Sequence, residues 1–451
     1  MPVTSPVPLW KNFLLFLLPM LASNILQSLF GTINNVYLGQ MIGVDALAAV
    51  TVFFPVMFAF IALVMGLSTG ASVLIGQAFG AGDTGKVKAA AGTTLGIALL
   101  FAVGIALIGS LFARELLLAL ATPPNILDEA TAYARVTMIS MPLTYAVILV
   151  TAMMRGVGDT VTPLLALVIY TLIGLVATPA MIVGWFGLPP LGVASAAWAS
   201  VASSVLTLVW LYFHLQSRRH ALAFDQTLLR AMWPDGRLLR LVLRLGIPAS
   251  LSMMVMSAAE LVLLGLVNGY GSDATAAYGA VGQVMTYVQF PALSIAISVS
   301  IFGAQAIGRG QAGQIGAIVT TGLQMNLWLT GGLAVAGYLL ARPLMGLFIT
   351  ETAVLDLAQR LLHIVLWSTV LFGWATVFSG AVRSGGTVWT PLAISSIAIL
   401  AVEVPSAIYL SHHVGIEGIW MAYPIAFCTM FLLQMSYYLL VWRKQPAARL
   451  I

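Results

Sequence analysis

The chain has 451 residues, 61% of them hydrophobic and only 7% charged, with a formal net charge of +5. A soluble domain carries roughly 25% charged residues, so water is excluded as the main solvent, and the basic residues stand singly between apolar runs, which excludes a nucleic-acid-binding patch. Cys428 is the one cysteine, so no disulfide forms within a chain, and its neighbours Phe427 and Met430 mark it as a buried thiol.

A bilayer core of about 30 Å takes roughly 20 residues of helix. Twelve apolar segments reach that length, at 12–38, 46–78, 89–112, 129–153, 163–185, 191–215, 246–269, 275–306, 316–340, 358–381, 390–411 and 415–441. The first is too long for a signal-peptide core and reads as a retained membrane helix. It carries Asn24, Gln27, Gly31, Asn34 and Asn35 at three- and four-residue spacing, which gives one polar face, either a cavity lining or a hydrogen-bonded helix contact. The second and eighth segments exceed a perpendicular span, and Pro55 and Pro291 are candidate bends. The polar stretch 216–240 is a linker, too short to be a domain, between a six-helix lobe at 1–215 and another at 241–451.

Of the 14 acidic residues, only Glu260 and Glu403 fall well inside spans, the seventh and the eleventh. A charge at mid-membrane costs about 2.5 to 3.5 kcal/mol even on the gentler insertion scale, so such residues usually face a cavity and carry function. Their distances from the preceding helix starts place both roughly 20 Å deep at about 1.5 Å per residue. Both are candidates for ion or proton coupling; the structural alternative is a permanently protonated or paired carboxyl, the more so for Glu403 beside Pro405. Met253, Met256, Ser257 and Leu264 share the helix face of Glu260, and Met256 is a candidate for binding varied apolar substrates or simple packing. Tyr37, Tyr278 and Trp374 either stack on a cationic ligand or pack helices. His363 lies in the tenth span, and no His, Cys and acid spacing suggests a metal centre.

The second half repeats the first at a spacing of 228 residues. Gly43 and Asp45 recur as Gly271 and Asp273, Gln77, Gly80 and Gly82 as Gln305, Gly308 and Gly310, and Arg114 and Asp128 as Arg342 and Asp356. Arg155, Gly158, Thr162 and Pro163 recur as Arg383, Gly386, Thr390 and Pro391. Fifteen of the 19 basic residues fall on the side of the termini, which the positive-inside rule makes cytoplasmic. Six spans per repeat make the two repeats parallel, related by a pseudo-twofold axis along the membrane normal. The expected fold is therefore an all-α integral membrane protein of 12 transmembrane helices. Internal repeats of this kind are the mark of a transporter with its site where the halves meet.

The turn at 155–163 is readable by itself: Gly156 and Gly158 relax the backbone, Pro163 suits a first helical turn, Arg155 favours a helix C-terminus and Asp159 or Thr160 caps the next helix. The loop Gly76-Gln77-Ala78-Phe79-Gly80-Ala81-Gly82-Asp83 and the stretch Arg155-Gly156-Val157-Gly158-Asp159-Thr160-Val161-Thr162-Pro163 resemble signature segments of the multidrug and toxic compound extrusion (MATE) transporters. The resemblance implies two six-helix bundles around a V-shaped cavity, exporting mostly cationic amphiphiles in exchange for protons or sodium ions, in a bacterial inner membrane. It also exposes departures. Many such proteins have an aspartate on the first span where this chain has Asn34, and many prokaryotic ones an aspartate before a proline on the fifth span, where it has Thr178-Pro179. Nor is there an acid around Phe372 on the tenth span. Coupling is therefore expected to rest on Glu260 and Glu403, with Gln27, Asn34, Asn35, Thr178 and Met256 as candidate cavity residues. No P-loop and no nucleophile cluster is present, so neither ATP-driven transport nor an enzyme is expected. No cofactor beyond the coupling ion, no nucleic acid, a lipid environment and a monomer complete the reading; a flippase for a noncationic or lipid-linked substrate is the alternative.

Overall fold

The computed structural model describes residues 8–187, 190–233, 235–446 and 449–451, with the side chains of residues 44 and 186 outside the description. Among the described residues every regular element is a helix. With no water in hydrocarbon to satisfy backbone groups, a chain this apolar must close its hydrogen bonds within each segment. Ten helices are long and apolar enough by themselves to cross a membrane, and a bent pair makes an eleventh. The remaining segment, Ile315–Leu339, has 25 residues and no charge. Gln324, Asn326 and its glycines lower its apolarity, which is why length rather than hydropathy identifies it.

The spans run Leu9–Met41, Val44–Gly80, Thr84–Gly104 with a π-helical turn to Gly109, Leu127–Gly156, Val161–Val183 and Ala194–Ser217 in the first repeat. In the second they run Gly236–Asn268, Ser272–Gly308, Ile315–Leu339, Thr352–Leu366 with Thr369–Ser384, Trp389–Val414 and Ile416–Leu440. Three features differ from the expected segments. The seventh helix begins at Gly236, inside the stretch read as linker, because Arg237, Arg240 and Arg244 lie on one side of a turn whose Val242 and Leu245 are buried. The tenth span is broken by 40° at Trp367 and Ser368, where the Ser368 and Thr369 hydroxyls donate to the carbonyls of Val365 and Leu366, each at 2.6 Å. The eleventh has a π-helical stretch, Ile397–Glu403, just before Pro405, whose missing N–H and ring displace the ladder around Ala401. Pro55 and Pro291, by contrast, lie inside uninterrupted 37-residue helices.

The chain forms two compact units, residues 22–250 and residues up to 21 together with 251–451. Within the first, the second span packs on the third and fourth, and the sixth on the fourth and fifth. Within the second the same pattern returns: the eighth packs on the ninth and tenth, and the twelfth on the tenth and eleventh. The repeat is thus visible in neighbours as well as residues. It extends to the backbone, since Gly43 and Gly271 (φ 131° and 98°), Gly82 and Gly310 (74° and 76°), and Gly158 and Gly386 (91° and 84°) share the left-handed half of conformational space. Large apolar side chains such as Leu111, Trp328 and Leu339 remain exposed, as befits surfaces solvated by lipid rather than water.

The repeated ion pairs sit at helix starts, Arg114 to Asp128 at 2.6 Å and Arg342 to Asp356 at 3.0 Å. All four side chains are about half exposed or more, so their geometry does not translate into stability. A double-mutant cycle on Arg342 and Asp356, read by thermal unfolding, is expected to give a coupling below about 1 kcal/mol, shrinking further in high salt. A larger, salt-insensitive coupling would mean that the pair is shielded.

Candidate functional site

The signature loops act as caps. The Asp159 carboxylate accepts hydrogen bonds from the backbone N–H groups of Val161 at 3.1 Å and Thr162 at 3.0 Å, so Asp159 rather than Thr160 caps the fifth span. Gly158 takes the left-handed turn that reverses the chain. Gly156 serves a different need: a Cβ there would stand 3.1 Å from the Ser72 carbonyl oxygen and from Ile75. Gln77 is buried, Gly80 closes the second helix, Arg155 and Arg383 occupy last turns, and Pro163 lies in the first turn after the cap. Gly386 mirrors Gly158, and the Pro391 carbonyl accepts from Gln434 Nε2 at 3.2 Å.

The linker is strapped to the first unit, a feature the sequence had not disclosed. Lys88 pairs with Asp225, and the Lys88 ammonium together with the Leu228 N–H holds the Asp225 carboxyl below its ordinary value. His220 stands 3.6 Å from Asp159. Burial keeps its imidazole below the usual range despite that carboxylate. The short helix Gln226–Ala231 lies against Gly92 and Gly96 of the third span, where a Cβ at Gly96 would come within 2.0 Å of the Met232 carbonyl. Only glycine spacing four apart admits backbone so near.

The candidate cavity residues divide between the units. In residues 22–250, Gln27 and Asn35 are exposed on the first span. Asn34 is engaged, since the Thr178 hydroxyl, fully buried, donates to its Oδ1 at 3.1 Å. Two neutral side chains therefore satisfy each other at these positions. A separate cavity of about 630 Å³ in this unit, bounded by Phe60, Leu100, Ile108, Phe112 and Met138, is walled by apolar side chains and has no titratable group.

In the unit containing 251–451, Glu260 is exposed on the seventh helix about two turns before its end at Asn268, and Met256, one turn earlier, is 41% exposed. Glu403, at the end of the π-helical stretch, is only 5% exposed. The two carboxyls lie within electrostatic reach of each other and of two phenols, Tyr278 on the eighth span and Tyr423 on the twelfth. Those hydroxyls are hydrogen-bonded to one another at 3.0 Å. Trp420 packs on both, with ring centroids 5.2 Å from Tyr278 and 5.4 Å from Tyr423. Among the described residues neither glutamate forms an ion pair, and no group of three metal-ligating side chains gathers there or elsewhere. Trp374 is a packing residue, its indole N–H donating to the Leu323 carbonyl at 3.1 Å. Tyr423 and Trp420 had no signal in the sequence, being aromatic residues among many in an apolar helix; the similar depth expected of the two glutamates was the one pointer, and it assumed a start at 246 for a helix that begins at Gly236.

A family model described as MatE matches residues 19–180 and 248–408, one match in each repeat. The "Probable multidrug resistance protein YoeA" of Bacillus subtilis (strain 168) is 42% identical over 449 residues, covering 99% of this chain and 97% of that protein. A protein named "FAD transporter" from Shewanella oneidensis is 24% identical, covering 88% of this chain and 87% of its own length. Among solved structures, a mutant of the Vibrio cholerae MATE transporter VcmN superposes with a TM-score of 0.89 over 97% of this chain and 98% of that one. At 22% identity that likeness concerns the fold.

Proposed function

Because the chain belongs to the MatE family of membrane transporters, we propose that it is a multidrug efflux protein working as a secondary active antiporter. It exports small organic, cationic amphiphiles in exchange for protons or sodium ions. The observation that carries the coupling is the presence inside two spans of carboxyls without ion-pair partners among the described residues, Glu260 exposed and Glu403 buried. A carboxylate at that depth faces water or a bound cation rather than lipid. Organic cation and coupling ion then compete for the same negative charge, which is the differential affinity that alternating access requires. The names of relatives, multidrug resistance among them, support the substrate class.

In this reading, residues 1–215 and 241–451 are the functional lobes and 216–240 the connector, with both termini cytoplasmic and the chain in the bacterial inner membrane. Asn34 and Thr178 hold no titratable proton and take no part in coupling; Gln27, Asn34 and Asn35 are substrate-contact residues of the first unit, with buried Thr178 holding Asn34 in place, and Met256 is one of the second. Lysines and arginines lie in loops or toward helix ends, so a phosphate-bearing or lipid-linked substrate finds no mid-membrane partner. The test is movement of a fluorescent organic cation in proteoliposomes under an imposed proton or sodium gradient. Gradient-driven accumulation is expected under one of the two, naming the ion. Equilibration without accumulation under both would refute antiport.

A further inference from the structure

The linker docks on its own unit through one set of side chains and leaves another set facing outward. Leu222 and Leu228 are buried, Asp225 is held by Lys88, and His220 stands beside Asp159. In the same stretch Leu229 is 54% exposed and Trp233 is 89% exposed. Arg218, Arg219, Arg230, Arg237, Arg240 and Arg244 are exposed as well. Among the described residues none of these six forms an ion pair. The acids of the stretch are already engaged, Asp225 by Lys88 and Asp235 by the backbone N–H of Arg237 at 3.1 Å.

Two further observations point to a partner for this face. The seventh helix has 33 residues, Gly236–Asn268, against the roughly 20 that cross hydrocarbon. Its run without Lys or Arg begins only after Arg244, so the surplus is the start of the helix. There Arg237, Arg240 and Arg244, three and four residues apart, form one stripe. The second observation is the backbone of Arg219, with φ 46°. The sixth span closes with the Arg219 N–H donating to the Gln216 carbonyl at 3.1 Å and the His220 N–H to the Leu215 carbonyl at 3.0 Å. The same pair of bonds closes the turns at Gly82, Gly158 and Gly310. Among the described residues only Ala121 and Arg219 take a left-handed φ without being glycine. An arginine there retains strain that a glycine would remove, and it presents an exposed cation in exchange.

We propose that the linker face bearing Leu229, Trp233 and the six arginines is a docking surface for anionic phospholipid headgroups of the adjacent bilayer leaflet. Clustered basic residues at the end of a span draw anionic lipid to the membrane surface. Guanidinium groups take two phosphate oxygens at once, and an exposed tryptophan settles at headgroup level with its ring toward the acyl chains. Orientation in the membrane requires only a surplus of basic residues in loops. It requires neither an exposed tryptophan in the same stretch nor an arginine in a glycine's conformation. The linker is thus held on one side by Lys88 and the third span and on the other by lipid.

The test is thermal unfolding of the full-length protein in neutral detergent with added phosphatidylglycerol, phosphatidylcholine or inorganic phosphate. Phosphatidylglycerol is expected to raise the midpoint at concentrations where the other two do not. Arg219→Gly is expected to unfold at the same or a higher temperature without lipid, because it relieves the backbone, yet to need about fivefold more phosphatidylglycerol for the same shift. Adding Arg218→Gln is expected to raise that requirement to about twentyfold. Trp233→Ala, which removes an exposed side chain and leaves the fold intact, is expected to weaken the response too. Arg135→Gln, at an exposed arginine of the fourth span without an ion pair among the described residues, is the control and is expected to respond as wild type. Equal responses to the two lipids, or an unaltered phosphatidylglycerol response in the Arg218 and Arg219 double variant, would overturn the proposal. So would an equal response to inorganic phosphate, which would assign the face to a free anion, or an equal loss in Arg135→Gln, which would reduce the effect to net charge. A lower midpoint for Arg219→Gly without lipid would assign Arg219 to the fold and overturn its place in the surface.

Discussion

Glu260→Gln is expected to abolish gradient-driven transport and weaken binding of the cationic dye while leaving folding intact. Glutamine has the shape and hydrogen-bonding capacity of a protonated glutamate, so a carboxyl that stays protonated for structural reasons would tolerate the change. One that gains and loses an ion each cycle would not. Glu260 is exposed on its helix, so replacing it opens no cavity and strands no buried partner. Removing a charge that costs about 2.5 to 3.5 kcal/mol at mid-membrane leaves stability equal or slightly raised. The readout is dye accumulation in proteoliposomes beside thermal unfolding of the same preparation. Accumulation is expected to fall to the level of empty vesicles. Unchanged accumulation would make Glu260 structural and transfer coupling to Glu403, whose Gln variant is then the next measurement.

The second large effect is expected at Gly66. A Cβ at this position would lie 2.0 Å from Ser250 Oγ, 2.5 Å from the Gly246 carbonyl oxygen and 2.5 Å from the Ser250 amide nitrogen. The hydroxyl could rotate away, but the two backbone atoms cannot move without the seventh helix. Neighbouring contacts are equally tight: a Cβ on Gly246 would meet Leu67 Cα at 2.9 Å, and one on Gly70 would meet Leu245 Cβ at 3.0 Å. Ser250 also donates to the Leu63 carbonyl at 3.2 Å, a bond that separation would break. Gly66→Ala is therefore expected to destabilise by about 1 to 3 kcal/mol or more, with a lower thermal midpoint and loss of transport. Gly31→Ala, where a Cβ meets nothing within 4 Å, is the control and is expected to behave as wild type. Equal midpoints for the two variants would mean that the second and seventh helices separate without cost.

The two expectations differ in how far the sequence could have supplied them. Glu260 stands out in a linear reading because a carboxyl in an apolar run is costly wherever the helix points. Gly66 does not, being one of 42 glycines, and its importance depends on backbone from nearly two hundred residues away. The same holds for Asn34 and Thr178. Their lack of titratable protons was legible from residue type, but that they satisfy each other required two helices to meet. The linker was expected to be a polar tether, and its docking through Lys88, Asp225, Gly92 and Gly96 follows from complementary surfaces that no local pattern encodes.

By itself the sequence determined the membrane class, the twelve spans, the repeat and its turn residues. Each of these rests on local physics: the thickness of hydrocarbon, the backbone needs of glycine and proline, and the cost of charge in an apolar solvent. Tertiary structure alone decided which polar residues meet. It joined Tyr278 to Tyr423, buried Glu403 and left Glu260 exposed. It also bent the tenth span and drew the π-helical stretch ahead of Pro405. The reason is that a helix presents its side chains all round, and only packing against particular neighbours makes one face dry, another wet and a third a hydrogen-bonded contact.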